Sequence, residues 1–367
     1  MVWRTAQPGC SRKILTKTTG NGKSTLTNSK RVAIIGMGPM GRRHLQALRA
    51  VENAELVAVA DARAQALTVA DLNGVRSYTD AHTMLGEVKP DVVIVATNGP
   101  SHHPLVLAAI AAGARGILCE KPIACSVTEA EEMIVAAREE GCALGVNFPR
   151  RHVLSYCWLA EQLQSGEWGQ LRSMRSGWPG VGLGCTATHM IDLWRFLGGE
   201  ELNTVFGWID CVRGPNPRGA EFSDPGGMIV ATSASGTRYV HEQTEDGAGP
   251  GTLIIETTKA QIVVDEYARS VDILVRDLSV KPGPGRPPKY DPVSLPAGAL
   301  LAVDIVRHSA EALRELVEER DLTCAAEHGL RSLEVVVAAY LSHDRGHASV
   351  TLPLNNPESK AKWLAIT

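Results

Sequence analysis

A glycine-rich segment at residues 36–41 restricts most strongly what this chain can fold into. It reads Gly36-x-Gly38-x-x-Gly41, follows an apolar run at 32–35 and leads into a helical pattern. Glycines at these positions permit a tight turn and let the backbone approach a pyrophosphate at the helix N-terminus. The pattern therefore predicts a dinucleotide site, whose residues are Gly36, Met37, Gly38, Pro39, Met40 and Gly41.

An acidic residue follows this segment at the spacing expected of a dinucleotide site. Asp61 lies twenty residues after Gly41 and ends a second apolar run at 56–60. Its carboxylate would accept hydrogen bonds from a ribose and repel a 2′-phosphate, which favours NAD. The nearby Arg63 could instead host the phosphate of NADP, so that cofactor stays possible. The alternative, a structural turn that binds no ligand, is the weaker interpretation because strand, glycines, helix and Asp61 occur together.

The residues around this segment predict a doubly wound sheet. Short apolar runs alternate with helical patterns throughout residues 31–150. Such alternation is typical of parallel strands joined by right-handed crossovers. We expect an α/β fold whose N-terminal part, residues 31–150, is a dinucleotide-binding Rossmann domain.

A chain of 367 residues has room for about two domains. Residues 151–345 contain many short strand patterns joined by turns, which favour antiparallel pairing. We expect a C-terminal α/β domain with a large, mostly antiparallel, open sheet that binds substrate and mediates self-association into a homodimer or homotetramer. Residues 1–30 and 346–367 are predicted as tails. The stretch 281–292 holds five prolines and is predicted as a loop.

Composition excludes several functional classes. The net charge of -3 argues against a nucleic-acid-binding protein. The longest apolar stretches are shorter than the ~20 residues of a membrane span. The eight cysteines form no C-x-x-C pair, so we expect no metal site and reduced thiols in a cytoplasmic protein.

Polar residues follow two further strand patterns, where ligands collect at the carboxyl edge of an open α/β sheet. Thr97 and Asn98 follow one strand, and Glu120 and Lys121 follow another. We predict that all four contact the cofactor. His102 is a further candidate, although a solvated histidine at the start of a helix fits its position equally well.

A histidine and an aspartate share one face of a predicted helix in the second domain. His189 and Asp192 are three residues apart, as neighbours on a helix are. The pair suits a proton acceptor and a ligand for a substrate hydroxyl. A structural pair, with Asp192 favoured by the helix dipole, is the alternative.

Taken in order, these motifs resemble the glucose–fructose oxidoreductase/inositol dehydrogenase/MocA family. The resemblance spans about residues 31–345 and rests on the glycine segment, residues 97–102, Glu120-Lys121-Pro122, residues 148–151, residues 166–169 and His189-x-x-Asp192. It implies that Lys121 lies between nicotinamide and substrate, with a bond to Pro122 that is usually cis. It also implies that His189 is the general base or acid and Asp192 a substrate ligand.

The chain departs from this family in one segment. The family often has an aspartate four residues before the catalytic histidine, where this chain has Cys185. The segment between Trp178 and His189 is also short. Both differences weaken the expectation of a polyol or inositol substrate. We predict that Cys185 and Trp178 join Asp192 as substrate contacts.

The leading functional hypothesis is an NAD(P)-dependent oxidoreductase. It would transfer hydride between nicotinamide and a hydroxyl or carbonyl carbon of a sugar, a sugar derivative or a related hydroxy compound. Two alternatives remain. One is a non-catalytic dinucleotide-binding regulator, and the other is a glycoside hydrolase that uses bound NAD for transient oxidation.

Overall fold

The structure is a computed structural model of the chain. It describes residues 29–366, apart from residues 69–71, 73, 181, 212–215, 217, 218, 245, 246, 248, 250 and 300. The predicted tail at 1–30 therefore lies almost entirely outside the described residues.

A six-stranded parallel sheet forms the N-terminal half and confirms the predicted doubly wound fold. Its strands are β1 (Lys30–Ile35), β2 (Ala54–Ala60), β3 (Arg76–Tyr78), β4 (Val92–Val95), β5 (Gly116–Cys119) and β6 (Ala143–Val146). Their order in the sheet is β3-β2-β1-β4-β5-β6. β4 and β5 are wholly buried, as expected of strands covered on both faces. The strand order reverses between β1 and β4, and ligands bind to open α/β sheets beside such a switch point.

Four helices follow the strands of this sheet: α1 (Pro39–Leu48), α2 (Ala81–Val88), α3 (Gly99–Ala111) and α4 (Val127–Glu139). The sequence specifies some of their ends directly. α4 begins with a capping box, in which the Ser126 hydroxyl accepts the N–H of Glu129 at 3.2 Å while the Glu129 carboxylate accepts the N–H of Ser126. α2 begins where the Asp80 carboxylate accepts the N–H of Thr83 at 2.6 Å.

A nine-stranded, largely antiparallel sheet forms the second half. Its strands are β7 (Leu171–Pro179), β8 (Leu202–Ile209), β9 (Gly227–Ser233), β10 (Arg238–Thr244), β11 (Thr252–Thr257), β12 (Ala260–Asp265), β13 (Ser270–Arg276), β14 (Tyr290–Val293) and β15 (Val350–Thr351). The order is β14-β13-β12-β11-β7-β10-β9-β8-β15, and the neighbours β7 and β10 are parallel. Side chains of β9 alternate between buried and half-exposed, so one face of the sheet is open there. Self-association through that face stays a prediction.

Five helices accompany the second sheet in the chain: α5 (Leu154–Ser165), α6 (Thr188–Gly198), α7 (Ile305–Val317), α8 (Ala326–Asp344) and α9 (Pro357–Lys360). α7 falls within the residues predicted to form the second domain, yet it packs on the first sheet. Its Leu313 and Leu316 lie in one apolar cluster with Val32, Ile34 and Leu45. The residue pattern of a helix indicates an apolar face but not which sheet buries that face.

Two segments are more ordered than the sequence patterns indicated. The predicted loop at 281–292 ends inside β14, where Pro292 lies opposite Leu274. Proline is tolerated because β14 is an edge strand and needs hydrogen bonds on one side only. The predicted tail at 346–367 contributes β15 and α9 and ends in a buried segment at 364–366. Within the described part of the chain, no helix is both long and apolar enough to cross a membrane.

Candidate active site

The glycine segment forms a close turn at the carboxyl end of β1. Gly36 has φ +93, and a Cβ there would lie 2.7 Å from the backbone of Ala96. A Cβ on Gly41 would lie 1.8 Å from the carbonyl oxygen of Gly36. Gly38 differs, because the nearest atom to its Cβ position is Arg63 Nη2 at 3.7 Å. Two glycines thus shape the turn, and the third leaves space in front of the N-terminus of α1.

An ion pair joins Asp61 and Arg63. In the sequence, Asp61 favoured NAD as the cofactor, whereas Arg63 left NADP possible. The Asp61 carboxylate accepts the N–H groups of Met37 at 2.8 Å and of Arg63 at 2.9 Å. It also accepts the guanidinium Nε and Nη2 of Arg63, each at 3.2 Å. Burial alone would raise the pKa of Asp61, but the hydrogen bonds from Arg63 and Met37 outweigh it and lower that pKa. A charged carboxylate therefore stands beside the glycine turn.

The segment after β4 lines the opposite side of this turn. The hydroxyl of Thr97 is buried and has no hydrogen-bond partner among the described residues. Asn98 is exposed at the N-cap of α3, and its side chain makes no cap hydrogen bond. An orphaned buried hydroxyl is costly unless a ligand satisfies it.

His102 is fully buried and ties this segment to the next one. Its Nδ1 lies 2.8 Å from the carbonyl oxygen of Pro122, and its Nε2 lies 3.1 Å from that of Thr97. Burial lowers the pKa of His102, although both carbonyl contacts work against that shift. The structure thus places His102 behind the predicted cofactor site, where it holds two loops together.

These features fit a dinucleotide. The glycine turn makes a cradle that Cβ atoms would fill, Asp61 offers a charged acceptor, and the orphaned Thr97 hydroxyl points to a missing polar partner. Gly36, Gly38, Gly41, Asp61 and Thr97 would hold the cofactor. Met37 is buried but contributes its N–H to Asp61, whereas Pro39 is exposed and Met40 half-exposed at the first turn of α1.

Glu120 lies beneath this site rather than on its surface. It is 4% exposed, and its Oε1 lies 2.7 Å from His44 Nε2 and 2.8 Å from Asn147 Nδ2. Burial raises the pKa of Glu120, but the bond and charge of His44, with smaller contributions from Asn147 and Lys121, lower it overall. Its predicted contact with the cofactor stays a prediction, since its Oε1 is engaged by protein groups.

The next residue, Lys121, does face the cleft and meets the second domain. Its Nζ donates to the carbonyl oxygen of Cys185 at 2.8 Å and lies 3.4 Å from the Cys185 thiol. The side chain is half-buried, and the bond between Lys121 and Pro122 is cis, as the family resemblance implied. Two of the predicted site residues are thus in contact across the two halves of the chain.

His189 lies near this contact, at the start of α6. Its ring meets the edge of the Phe148 ring, with centroids 5.8 Å apart, and its nitrogens have no hydrogen-bond partner within the described residues. Burial first, then the positive charges of Lys121 and Arg150, hold the pKa of His189 well below its ordinary value. The imidazole is therefore neutral near pH 7, with a lone pair available to accept a proton.

The structure does not bring Asp192 to the cleft with His189. Asp192 is 1% exposed, and both of its oxygens accept N–H groups of the buried Arg151 at 2.9 to 3.0 Å. A second cation, Arg195, lies 3.9 Å away. The role of Asp192 as a substrate ligand stays a prediction, and this geometry favours a role in positioning α6.

Trp178 lies at the end of β7 within a cluster of charged and aromatic side chains. The Arg150 guanidinium lies 5.4 Å from the Trp178 ring centroid, and the exposed Tyr267 ring lies 6.1 Å away. Arg150 donates to both oxygens of Glu266 at 2.7 and 2.6 Å. Tyr156 donates its hydroxyl to the same carboxylate at 2.6 Å. The charge of Arg150 is therefore balanced within the protein.

Two supports of the site carried no signal in the sequence. The Asp224 carboxylate accepts the N–H of Gly184 at 2.7 Å and of Cys185 at 2.8 Å, which fixes the backbone that holds Lys121. Ile366 is fully buried and packs against Gly184 and Gly99. The packing is so close that a Cβ on Gly184 would lie 2.5 Å from the Cβ of Ile366. Neither contact follows from a local spacing, since both join distant parts of the chain.

Comparison with known proteins places these features in context. Residues 30–148 match the model of the GFO/IDH/MocA family, described as an oxidoreductase family with an NAD-binding Rossmann fold. A D-apiose dehydrogenase of Paraburkholderia graminis is 29% identical over 94% of this chain and 95% of its own length. A D-glucoside 3-dehydrogenase of Escherichia coli is 38% identical, over 44% of this chain and 48% of its own length.

Solved structures share the whole architecture. A levoglucosan dehydrogenase in complex with NADH superposes with a TM-score of 0.75 at 21% identity, covering 89% of this chain and all of its own. At that identity the likeness establishes the fold, including the pairing of a doubly wound sheet with a large antiparallel one.

Proposed function

Residues 30–148 match the oxidoreductase family with an NAD-binding Rossmann fold, and from that premise we propose that the chain oxidises a carbohydrate-like alcohol with NAD. The observation that carries this proposal is the meeting of Lys121 and Cys185, with His189 close by, at the carboxyl end of β5 beside the glycine turn. Two of the relatives are named as dehydrogenases of D-apiose and of D-glucosides, which supports a sugar substrate.

His189 acts as the proton acceptor in this proposal. The substrate hydroxyl gives its proton to the neutral imidazole while hydride leaves the same carbon and the carbonyl bond forms. The bound nicotinamide supplies the hydride acceptor. General-base assistance of this kind contributes about 10²–10⁴-fold to the rate.

Lys121 stabilises the negative charge that develops on the substrate oxygen. Its ammonium uses one N–H on the Cys185 carbonyl and a second on the Cys185 thiol, a weak acceptor, which fixes its direction and leaves a third donor for the substrate oxygen. A donor held in place before the reaction stabilises the transition state without reorganisation. In the reverse direction the protonated His189 returns the proton and Lys121 polarises the carbonyl.

In this proposal the Asp61 carboxylate accepts hydrogen bonds from the hydroxyls of the adenosine ribose. NAD is the cofactor proposed, because the charged carboxylate would repel a 2′-phosphate. Arg63 already pairs with Asp61, and its side chain is 69% exposed, so it can swing away when a ribose binds.

The test is a panel of sugars, cyclitols and sugar acids incubated with the protein and NAD. We expect at least one of them to produce NADH, followed by absorbance, with the same compound giving less NADPH from NADP. Tight NADH binding without turnover of any compound in the panel would contradict the proposal and favour a non-catalytic dinucleotide sensor.

A further inference from the structure

The ammonium of Lys121 lacks an anionic partner. Its two contacts are the carbonyl oxygen and the thiol of Cys185, and neither is a carboxylate. Among the described residues, no carboxylate forms a salt bridge with Lys121. A half-buried charge without a counter-ion is unfavourable, and a ligand that supplies one is correspondingly well bound.

Four acidic groups in this part of the structure are already engaged. Glu266 is bound to Arg150, and Asp192 is bound to Arg151. Glu120 precedes Lys121 in the chain and lies within its field, but its Oε1 is held by His44 and Asn147. Asp224 accepts two backbone N–H groups behind Cys185.

The environment of His189 reports the same imbalance. The two charged groups that act on its pKa are Lys121 and Arg150, and both lower it. Arg150 is paired with Glu266, so the positive charge near the imidazole that has no carboxylate partner is that of Lys121. An oxidised nicotinamide bound beside the imidazole would add another positive charge, which would strengthen the electrostatic attraction for an anionic group of the substrate.

We propose that the substrate is a sugar acid, with its carboxylate on the carbon next to the reacting hydroxyl. This inference rests on the proposed function and names its substrate class. The Lys121 ammonium has one donor free for the reacting oxygen, and a carboxylate oxygen on the adjacent carbon can replace the Cys185 thiol, a weak acceptor, on a second donor. Cys185 determines this preference because it places a thiol, and not a carboxylate, 3.4 Å from the ammonium.

The experiment compares pairs of compounds that differ only in this group: D-gluconate with D-glucitol, D-galactonate with D-galactitol, and D-mannonate with D-mannitol. Binding of each to the protein–NADH complex is measured by calorimetry, and NAD reduction by each is measured as kcat/KM. We expect the acid of a pair to bind about 10-fold more tightly or better, as for a charge-assisted hydrogen bond. Equal binding within every pair, or tighter binding of the polyols, would overturn the proposal.

Two variants test whether Cys185 determines the preference for sugar acids over polyols. Cys185→Asp places a carboxylate beside Lys121 and is expected to remove most of the advantage of the acids. Cys185→Ser introduces no charge and is expected to preserve the ratio within each pair. Their melting temperatures and NADH affinities verify that both variants fold. An unchanged ratio in folded Cys185→Asp would contradict the role of Cys185.

The outcomes separate this inference from the function on which it rests. NAD reduction by polyols or neutral sugars, without an advantage for acids, would leave the dehydrogenase and remove the sugar acid. Preferential binding of the acids without NAD reduction by any compound would retain the anionic subsite and contradict the oxidation reaction.

Discussion

Asp192→Asn tests whether the acidic residue of the His189 helix stabilises the fold or binds the substrate. Asp192 and Arg151 are 1% and 3% exposed in their side chains and share three N–H···O contacts of 2.9 to 3.0 Å. The amide removes the negative charge and turns an NH₂ group toward a buried guanidinium. Removing one partner of a buried ion pair costs about 3–5 kcal/mol of the free energy of unfolding. That is a large share of the total of a typical protein, roughly 5–15 kcal/mol.

The measurement is the denaturant midpoint and slope of wild type and variant. Arg175→Gln is the matched control, since its pair with Glu256 is half-exposed on both sides, at 52% and 39%. We expect that control to lose less than about 1 kcal/mol. A loss of less than about 1 kcal/mol in Asp192→Asn, together with a raised KM and an unchanged kcat, would refute the structural assignment and restore Asp192 as a substrate ligand.

Three further predictions concern the cofactor, the support of the site and acid stability. Asp61→Ala should weaken NAD binding and relax discrimination against NADP, because the ribose acceptor and the charge that repels a phosphate are both lost; a wild type that already prefers NADP would contradict this. Ile366→Gly should lower kcat, because Ile366 packs on the backbone just before Cys185, whereas Trp363→Ala, at an exposed position, should not. Equal kcat values for the two variants in steady-state assays would show that Ile366 does not support the site. Burial lowers the pKa of His241 to about 4, so this histidine binds a proton at a higher pH in the unfolded protein than in the folded one. The free energy of unfolding should therefore fall as pH drops from 6.5 toward 4, by up to about 3 kcal/mol, and should depend less on pH in His241→Gln. Denaturation curves with the same pH dependence in both proteins would contradict this.

The glycine turn and the fold class could be predicted because their signals are local. A strand, three glycines and a helix follow one another within twenty residues, and each requirement is visible in consecutive residues. The contact between Gly41 and the Gly36 carbonyl shows the physical reason, since only hydrogen fits there. The alternation of strands and helices predicts the parallel sheet in the same way.

The partners of the buried charges could not be predicted. A spacing of three shows that His189 and Asp192 share a helix face, but not which residue lies opposite that face. Arg151 precedes Asp192 by 41 residues and takes its carboxylate out of the cleft. Glu120 and Lys121 are adjacent in sequence, yet one is turned into the protein and the other into the cleft. Such choices depend on packing between elements that the local pattern does not specify.

The most direct test of the central claim is the effect of Lys121→Ala and His189→Ala on turnover and on NADH affinity, measured on the best compound of the substrate panel. Neither residue belongs to the glycine turn or to the ribose site, so we expect NADH affinity to stay close to that of the wild type. Turnover should fall by about 100-fold or more in each variant, as expected when a general base or a charge stabiliser is lost. The double variant should lose less than the product of the two effects, because both residues serve one reaction step. Full activity of a folded His189→Ala variant would contradict the mechanism.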